Sequence, residues 1–453
     1  MDLQDIFDYI DAHADESVRD LQELVQQPSI SAQNVGLEDC ARLVREMMHR
    51  DGLDAELYEL DGGPPVVFGQ ITSNGASKTM LCYSHYDVQP PEPLDAWTYG
   101  GPWSGTIEGG VLYGRGATDN KSGVLAFNKA AKAFLEVRGE LPVNLKFIIE
   151  GEEEIGSLHL GPWVAKNTAL LEADGMHCLD GSVDTATLLP DVDLGLKSVL
   201  FVELVARGAT SDVHSLNFPL LPVPAWDLIR ALNTIMDENR RILIDGWYEG
   251  LYELQDEDEA QLAEKARRVD MDKLRTEWGI PEFALGREGV DAIRARAYEP
   301  TANIAGLISG YTGPGSKTIV PNEARVKMDF RLIPNIQPEA ALAKLKAHLV
   351  KHGFGHIEVL GEARAEPPYK ISVKESMAQA VIEAATLVYG EVPIVNGVSA
   401  EGTILKHVWI PCVLTGFANP GANLHAPNEN ITVEAYVQGI KYAAAIMEAF
   451  GKQ

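Results

Sequence analysis

TMLCYSHYD, residues Thr79 to Asp87, decides how this chain is read. An apolar run of that length ending in Ser-His-Tyr-Asp predicts a buried strand whose final residues are polar. Two further stretches follow it: SGVLAFNKAAKAFLEV (Ser122–Val137), with helical spacing, and VNLKFIIEGEEE (Val143–Glu154), a second strand that runs into an acidic loop. Strand, helix, strand predicts an α/β domain with a largely parallel sheet, and such sheets collect ligands beyond the carboxyl ends of their strands. His85 and the glutamates after Ile149 both fall there.

Near Gly195 the texture changes. KSVLFVELVARG (Lys197–Gly208) reads as a longer strand, and a charged helical segment is expected from about Trp226 to Arg296. EARVKMDFRLIP (Glu323–Pro334), PEAALAKLKAHLVKHG (Pro338–Gly353) and GHIEVLGEA (355–363) read as strand, helix and strand, the pattern of an α+β sandwich. From about Ser372, MAQAVIEAATLVYG and WIPCVLTGF return to α/β character. The expectation is a discontinuous first domain, 1–195 plus 370–453, and an inserted domain, 196–369. There is no internal repeat.

With 453 residues, two domains are the default. A formal net charge of −28 argues against nucleic acid and anionic membrane surfaces as partners, but not against metal ions. Cys40, Cys82, Cys178 and Cys412 are scattered with no CxxC pair, which suits reduced thiols in a cytoplasmic protein. The acidic amphipathic start resembles no signal peptide, and no apolar run is long enough to span a bilayer.

GYTGPGSKT (Gly310–Thr318) imitates a phosphate loop, but Ser316 intervenes before Lys317 and the strand-to-helix context is missing. No GxSxG elbow supports a serine hydrolase. The glycines of GGPPVVFG and VLYGRGATDN read as turns.

The acidic and histidine-bearing segments behave differently. In SHYD, His85 and Asp87 are two apart, so on a continuing strand both point to one side of the sheet and the carboxylate can fix the imidazole tautomer. Alone, that pair is equally consistent with a structural contact, and Glu150, Glu152, Glu153 and Glu154 with a solvated turn. LYGRGATDNKSG adds Asp119, CLDGS adds Asp180 and NLHAPNE adds His425. Together they make two imidazoles and several carboxylates at the loop ends of one domain, the ligand set of a two-metal hydrolase.

These segments, in this order, resemble the signature of the M20 metallopeptidases, and the inserted domain with SDVHS and KMDFRLIPNIQPE resembles the carnosinase-like dipeptidase branch. The resemblance implies a phosphorylase/hydrolase-like catalytic domain with a mostly parallel central sheet and an inserted lid and dimerisation domain. It implies two divalent metal ions, Zn2+ or Mn2+, bridged by Asp119 and a water. His85 and Asp180 complete one site, and Glu154 and His425 the other. Asp87 is the orienter of His85, Glu153 the general base that activates the bridging water, and a cis peptide is expected between Asp119 and Asn120. His214 is expected to reach a neighbouring active site across a homodimer. Arg331 is expected to bind the substrate carboxylate, and Gly402 and Thr403 to line the same pocket. Leu216 and Ser122 depart from the family, each standing where glycine is usual. Glu150 is expected to support the loop and Glu152 to be solvated.

Aspartate at position 180 is associated in the family with aminopeptidases and dipeptidases, so the expected substrate is a dipeptide or short unblocked peptide. An N-acyl-amino-acid amidohydrolase is the alternative within the same chemistry. A non-catalytic binding protein on this fold is a remote one.

Overall fold

The computed structural model describes residues 3–184, 187–361, 367–399 and 410–453. The chain divides into two compact units. The first comprises the described parts of 1–194, 371–397 and 404–453, and the second those of 195–370 and 398–403.

In the first unit an eight-stranded sheet runs in the order Asp54–Tyr58, Val66–Ile71, Asn144–Glu150, Thr79–His85, Gly175–Ser182, Cys412–Ala418, Asp191–Asp193, Ile394–Asn396. Its four central strands, from Asn144–Glu150 to Cys412–Ala418, are mutually parallel. Antiparallel pairings flank them on both sides. The sheet is therefore mixed, with parallel character concentrated where the strand ends carry His85, Glu150 and Asp180. Val66–Ile71 is a strand that the GGPP stretch disguised as turn. A Cβ on its Gly69 would sit 3.1 Å from the Asp54 carbonyl oxygen of the neighbouring strand and 2.4 Å from the flexible tip of Met48 on the helix packed behind it, so the position is tight.

The helix Lys121–Arg138 follows the predicted pattern and stops at Gly139, whose φ of 73° suits the left-handed cap. Thirteen of its 18 residues are buried, more than a one-sided amphipathic helix would bury. The helices Gln4–Ala12, Ala14–Gln26 and Val433–Lys452 cover the side that the sheet does not. All three add to a single apolar core with the sheet residues.

The second unit is built on a four-stranded antiparallel sheet, ordered Thr301–Ser309, Glu323–Leu332, Ser198–Arg207, Glu358–Leu360. Glu323–Leu332 alternates strictly: Ala324, Val326, Met328, Phe330 and Leu332 are buried. They pack with residues of the helices Pro224–Ile235 and Pro338–Lys351. The charged segment expected as helical from Trp226 to Arg296 is broken into Pro224–Ile235, Asp256–Arg268, Met271–Trp278 and Gly289–Tyr298. Left-handed glycines, Gly246, Gly250, Gly279 and Gly286, occupy the intervening turns. No helix among the described residues is long and apolar enough to cross a membrane.

Candidate metal centre

Each donor of the first unit lies where a strand has just ended or a helix is about to begin. His85 closes Thr79–His85, Asp180 sits near the end of Gly175–Ser182, and Glu153 and Glu154 occupy the single helical turn after Asn144–Glu150. Asp119 immediately precedes the helix Lys121–Arg138 across a cis peptide to Asn120, as expected. That helix start lies tight against the neighbouring strand. A Cβ on Gly123 would be 2.4 Å from the Leu179 carbonyl oxygen. The closeness lets Asn120 Nδ2 donate to Leu179 O at 2.6 Å and to Asp180 Oδ1 at 2.7 Å. His425 is held at φ 57° in a loop whose Asn423 and Asn428 are also left-handed, a compact turn that aims its ring back at the sheet.

Two triads result, sharing one aspartate. Oxygens and nitrogens of His85, Asp119 and Asp180 all lie within 4.8 Å of one another, as do those of Asp119, Glu154 and His425. His85 Nε2 is 3.1 Å from Asp119 Oδ1 and 3.5 Å from Asp180 Oδ2. His425 Nε2 is 3.0 Å from Asp119 Oδ2 and 3.3 Å from Glu154 Oε2. Gln89 steadies Glu154, donating to its Oε2 at 2.9 Å.

Chemistry fixes the tautomer of His85. Its Nδ1 faces the backbone carbonyl of Asp87 at 3.1 Å, and a carbonyl can only accept, so Nδ1 carries the hydrogen. Nε2 is then the free lone pair. It is fully buried and, among the described residues, faces the Asp119 and Asp180 carboxylates without a satisfied hydrogen bond, an orphan that a metal ion would satisfy. Histidine and carboxylate together suit zinc or manganese.

The electrostatics agree with a cation site. Burial would push the His85 imidazole down, but Asp180, Asp119 and Asp87 raise it well above its ordinary range. Asp119 and Glu154 raise His425 to about 10. Burial, opposed by His85 and reinforced by Asp180, Glu154 and Asp119, pushes Glu153 up to about 8. For the two histidines surplus negative charge draws in a positive one, whereas for Glu153 burial leads and the neighbouring carboxylates add to it.

Asp87 is fully buried and does more than orient a ring. Its Oδ1 lies 3.3 Å from His85 Nδ1, and its two oxygens accept the backbone N–H groups of Glu153 and Glu154. Glu150 supports the same loop, accepting Tyr83 Oη–H at 2.6 Å and Ser157 Oγ–H at 2.7 Å. Glu152 corrects the expectation of a solvated side chain. It is only 5% exposed, and its carboxylate accepts the His159 backbone N–H at 3.0 Å and faces His159 Nδ1 at 2.9 Å.

The remaining expected residues are not among the described residues of the first unit. His214 and Arg331 belong to the second unit, and Gly402 and Thr403 lie outside the described residues. Asp212, two residues before His214, pairs with Lys317 at 3.1 Å, leaving the exposed His214 ring to accept only the Leu216 N–H among the contacts described. Leu216 itself is 81% exposed, and Ser122, the other departure, is buried with its hydroxyl donating to Thr118 O.

The sequence assigned no contact to Asn120, Gln89 or the pair Arg115–Glu429, although Asn120, Arg115 and Glu429 all stand within its motifs. The available signal was an unassigned arginine in one motif and an unassigned glutamate in another.

A sheet with a parallel centre that brings these donors together around one shared aspartate defines a metallohydrolase of the two-metal kind. The chain belongs to the M20/M25/M40 peptidase family, whose model matches residues 81–449. It is 28% identical to the human Beta-Ala-His dipeptidase over 98% of this chain and 92% of that protein. It is 27% identical to the Cys-Gly metallodipeptidase DUG1 of Candida albicans, over 99% of this chain and 98% of that one. Among solved structures, the M20 family metallo-carboxypeptidase Sso-CP2 of Sulfolobus solfataricus superimposes with a TM-score of 0.86 at 37% identity, covering 97% of this chain and 100% of that one.

Proposed function

We propose that this chain hydrolyses the peptide bond of dipeptides or short unblocked peptides, using Zn2+ or Mn2+ held by His85, Asp119 and Asp180 on one side and Asp119, Glu154 and His425 on the other. The observation that carries the reading is the pair of triads with Asp119 in common. Two relatives of nearly the same length are named as dipeptidases, which supports the substrate class.

Bound there, two divalent ions would supply a Lewis acid for the scissile carbonyl and a water acidified toward neutrality. The protein does the rest. Glu153, adjacent in sequence to Glu154, takes the proton of the attacking water and returns it to the departing amine. Asp87 keeps the Nε2 lone pair of His85 pointing inward. Arg331 offers a planar fork for the substrate carboxylate, with Gly402 and Thr403 in the same pocket, and His214 of a second copy stabilises the developing oxyanion. In this reading the first unit is catalytic, the second is the lid and dimerisation domain, and the enzyme acts in the cytoplasm.

Sso-CP2, at the higher identity, favours a second reading, a carboxypeptidase that accepts longer or blocked chains. A panel of free dipeptides, N-acylated amino acids and blocked tripeptides, assayed with Mn2+- and Zn2+-loaded protein, separates the alternatives. Turnover confined to free dipeptides is expected. Preference for blocked substrates would replace the dipeptidase reading with an amidohydrolase or carboxypeptidase one, and no hydrolysis with either metal would leave a binding protein.

A further inference from the structure

Outside the donors themselves, Glu429 is a buried acidic group of the first unit with four hydrogen-bond donors around it. It is fully buried, as is Arg115 beside it, at 0% and 1% exposed. Its Oε2 accepts Arg115 Nη1–H at 2.7 Å and the Gly116 N–H at 2.9 Å. Its Oε1 accepts the N–H groups of Thr118 and Asp119, both at 3.1 Å. One carboxylate thus gathers four donors, three of them backbone amides of a single loop, Gly116, Thr118 and Asp119, the last being the aspartate shared by both triads.

The backbone around it ties the same two segments. Gly114 N–H donates to Glu429 O, Thr118 Oγ1–H donates to Asn430 O, and the strand Asn430–Thr432 pairs with Val111–Tyr113. Glu429 follows His425 by four residues, so the loop presenting His425 and the loop presenting Asp119 are fastened to each other at this point.

We propose that Glu429 is a positioning residue that sets the Asp119-to-His425 spacing and so pre-forms the Asp119–Glu154–His425 site. The inference rests on the two-metal reading above. It requires a carboxylate specifically. Glutamine has the same shape, but its NH2 cannot accept, so two of the four donors would face another donor. The His425 loop would then lose its fixed approach to Asp119, while Asp119 would stay beside His85 and Asp180 because its neighbour Asn120 donates to Leu179 O and Asp180 Oδ1.

The test is calorimetric titration of metal-free full-length protein with Mn2+. Wild type is expected to bind two ions, and failure to do so would overturn the two-metal reading rather than this one. Glu429→Gln, folded by circular dichroism, is expected to bind one ion as wild type does and the other at least tenfold more weakly. Lys129→Met serves as the control for instability alone, because it breaks the buried Lys129–Asp51 pair without touching a donor. It is expected to lower the melting temperature and leave both affinities intact. Equal affinities in Glu429→Gln and wild type, or a loss of metal in Lys129→Met that tracks its lower melting temperature, would overturn the proposal.

A second measurement needs no variant. Amide exchange of Gly116, Thr118 and Asp119 is expected to be slow in metal-free wild type and little changed by Mn2+. Fast exchange without metal would mean that the ions, not Glu429, hold the loop.

Discussion

Oδ2 of Asp87 accepts the backbone N–H of Glu154 at 3.1 Å, so the residue that orients one histidine also anchors a donor of the other triad. The same carboxylate, through Oδ1, accepts the Glu153 N–H and lies 3.3 Å from His85 Nδ1. Removing it frees the Glu153–Glu154 loop and takes a negative charge from beside His85, whose Nδ1 keeps the Asp87 backbone carbonyl. Asp87→Ala is expected to weaken metal affinity by about tenfold to a hundredfold, the usual effect of deleting such an outer partner. Mn2+ titration checks this, and a variant whose kcat falls while its metal content stays full would confine Asp87 to catalysis.

A different arrangement is expected of His214. It is exposed, belongs to the second unit, and finds only a local backbone partner among the described contacts. If it serves a neighbouring copy, His214→Ala and Glu153→Gln are each nearly inactive but complementary. Glu153→Gln is expected to keep its metals and lose about 100-fold to 10,000-fold in rate, since the proton carrier alone is gone. Mixing the two variants under conditions of subunit exchange is expected to restore part of the activity. No recovery after proven exchange would place His214 outside the reaction.

Much of this could be read from residues. Apolar runs, continuous in the first unit and alternating in Glu323–Leu332, gave the strands, and His85, Glu154 and Asp180 stood out because they fall at or just past strand ends. What stayed hidden depends on partners remote in sequence. Arg115 and Glu429 are 314 positions apart, and nothing in either motif marks them as a pair. The strand Val66–Ile71 was masked by its glycine, which sits tightly between the neighbouring strand and the helix packed behind it. Glu152 looked solvated because charge alone does not reveal that the loop folds back over it.

Glu152 gives the clearest stability test. Its carboxylate holds the N–H of His159 and faces the ring, and it is almost wholly buried. Glu152→Ala leaves that donor unpaired, which is expected to lower unfolding free energy by about 1–3 kcal/mol. Urea denaturation monitors this, with Mn2+ binding unchanged. A neutral substitution would restore the solvated reading.

His177 predicts how the fold responds to acid. The ring is completely buried on Gly175–Ser182, meets Phe127 edge-on, and has no hydrogen-bond partner on either nitrogen among the described residues. Burial pushes it down to about 3, so it stays neutral in the fold while the unfolded chain takes up a proton near 6.5. The sign follows from linkage: the folded pKa is depressed, so its contribution is intact above 6.5 and is lost as pH falls toward 3. Between pH 7 and pH 5 the unfolded state gains about 2 kcal/mol from this one group. His177→Leu, apolar and close in volume, cannot make that exchange. Its unfolding free energy, measured by urea titration at both pH values, is expected to fall less on acidification than that of wild type, by about the same 2 kcal/mol. Parallel pH profiles for the two proteins would show that the ring is protonated inside the fold and that a partner or water reaches it.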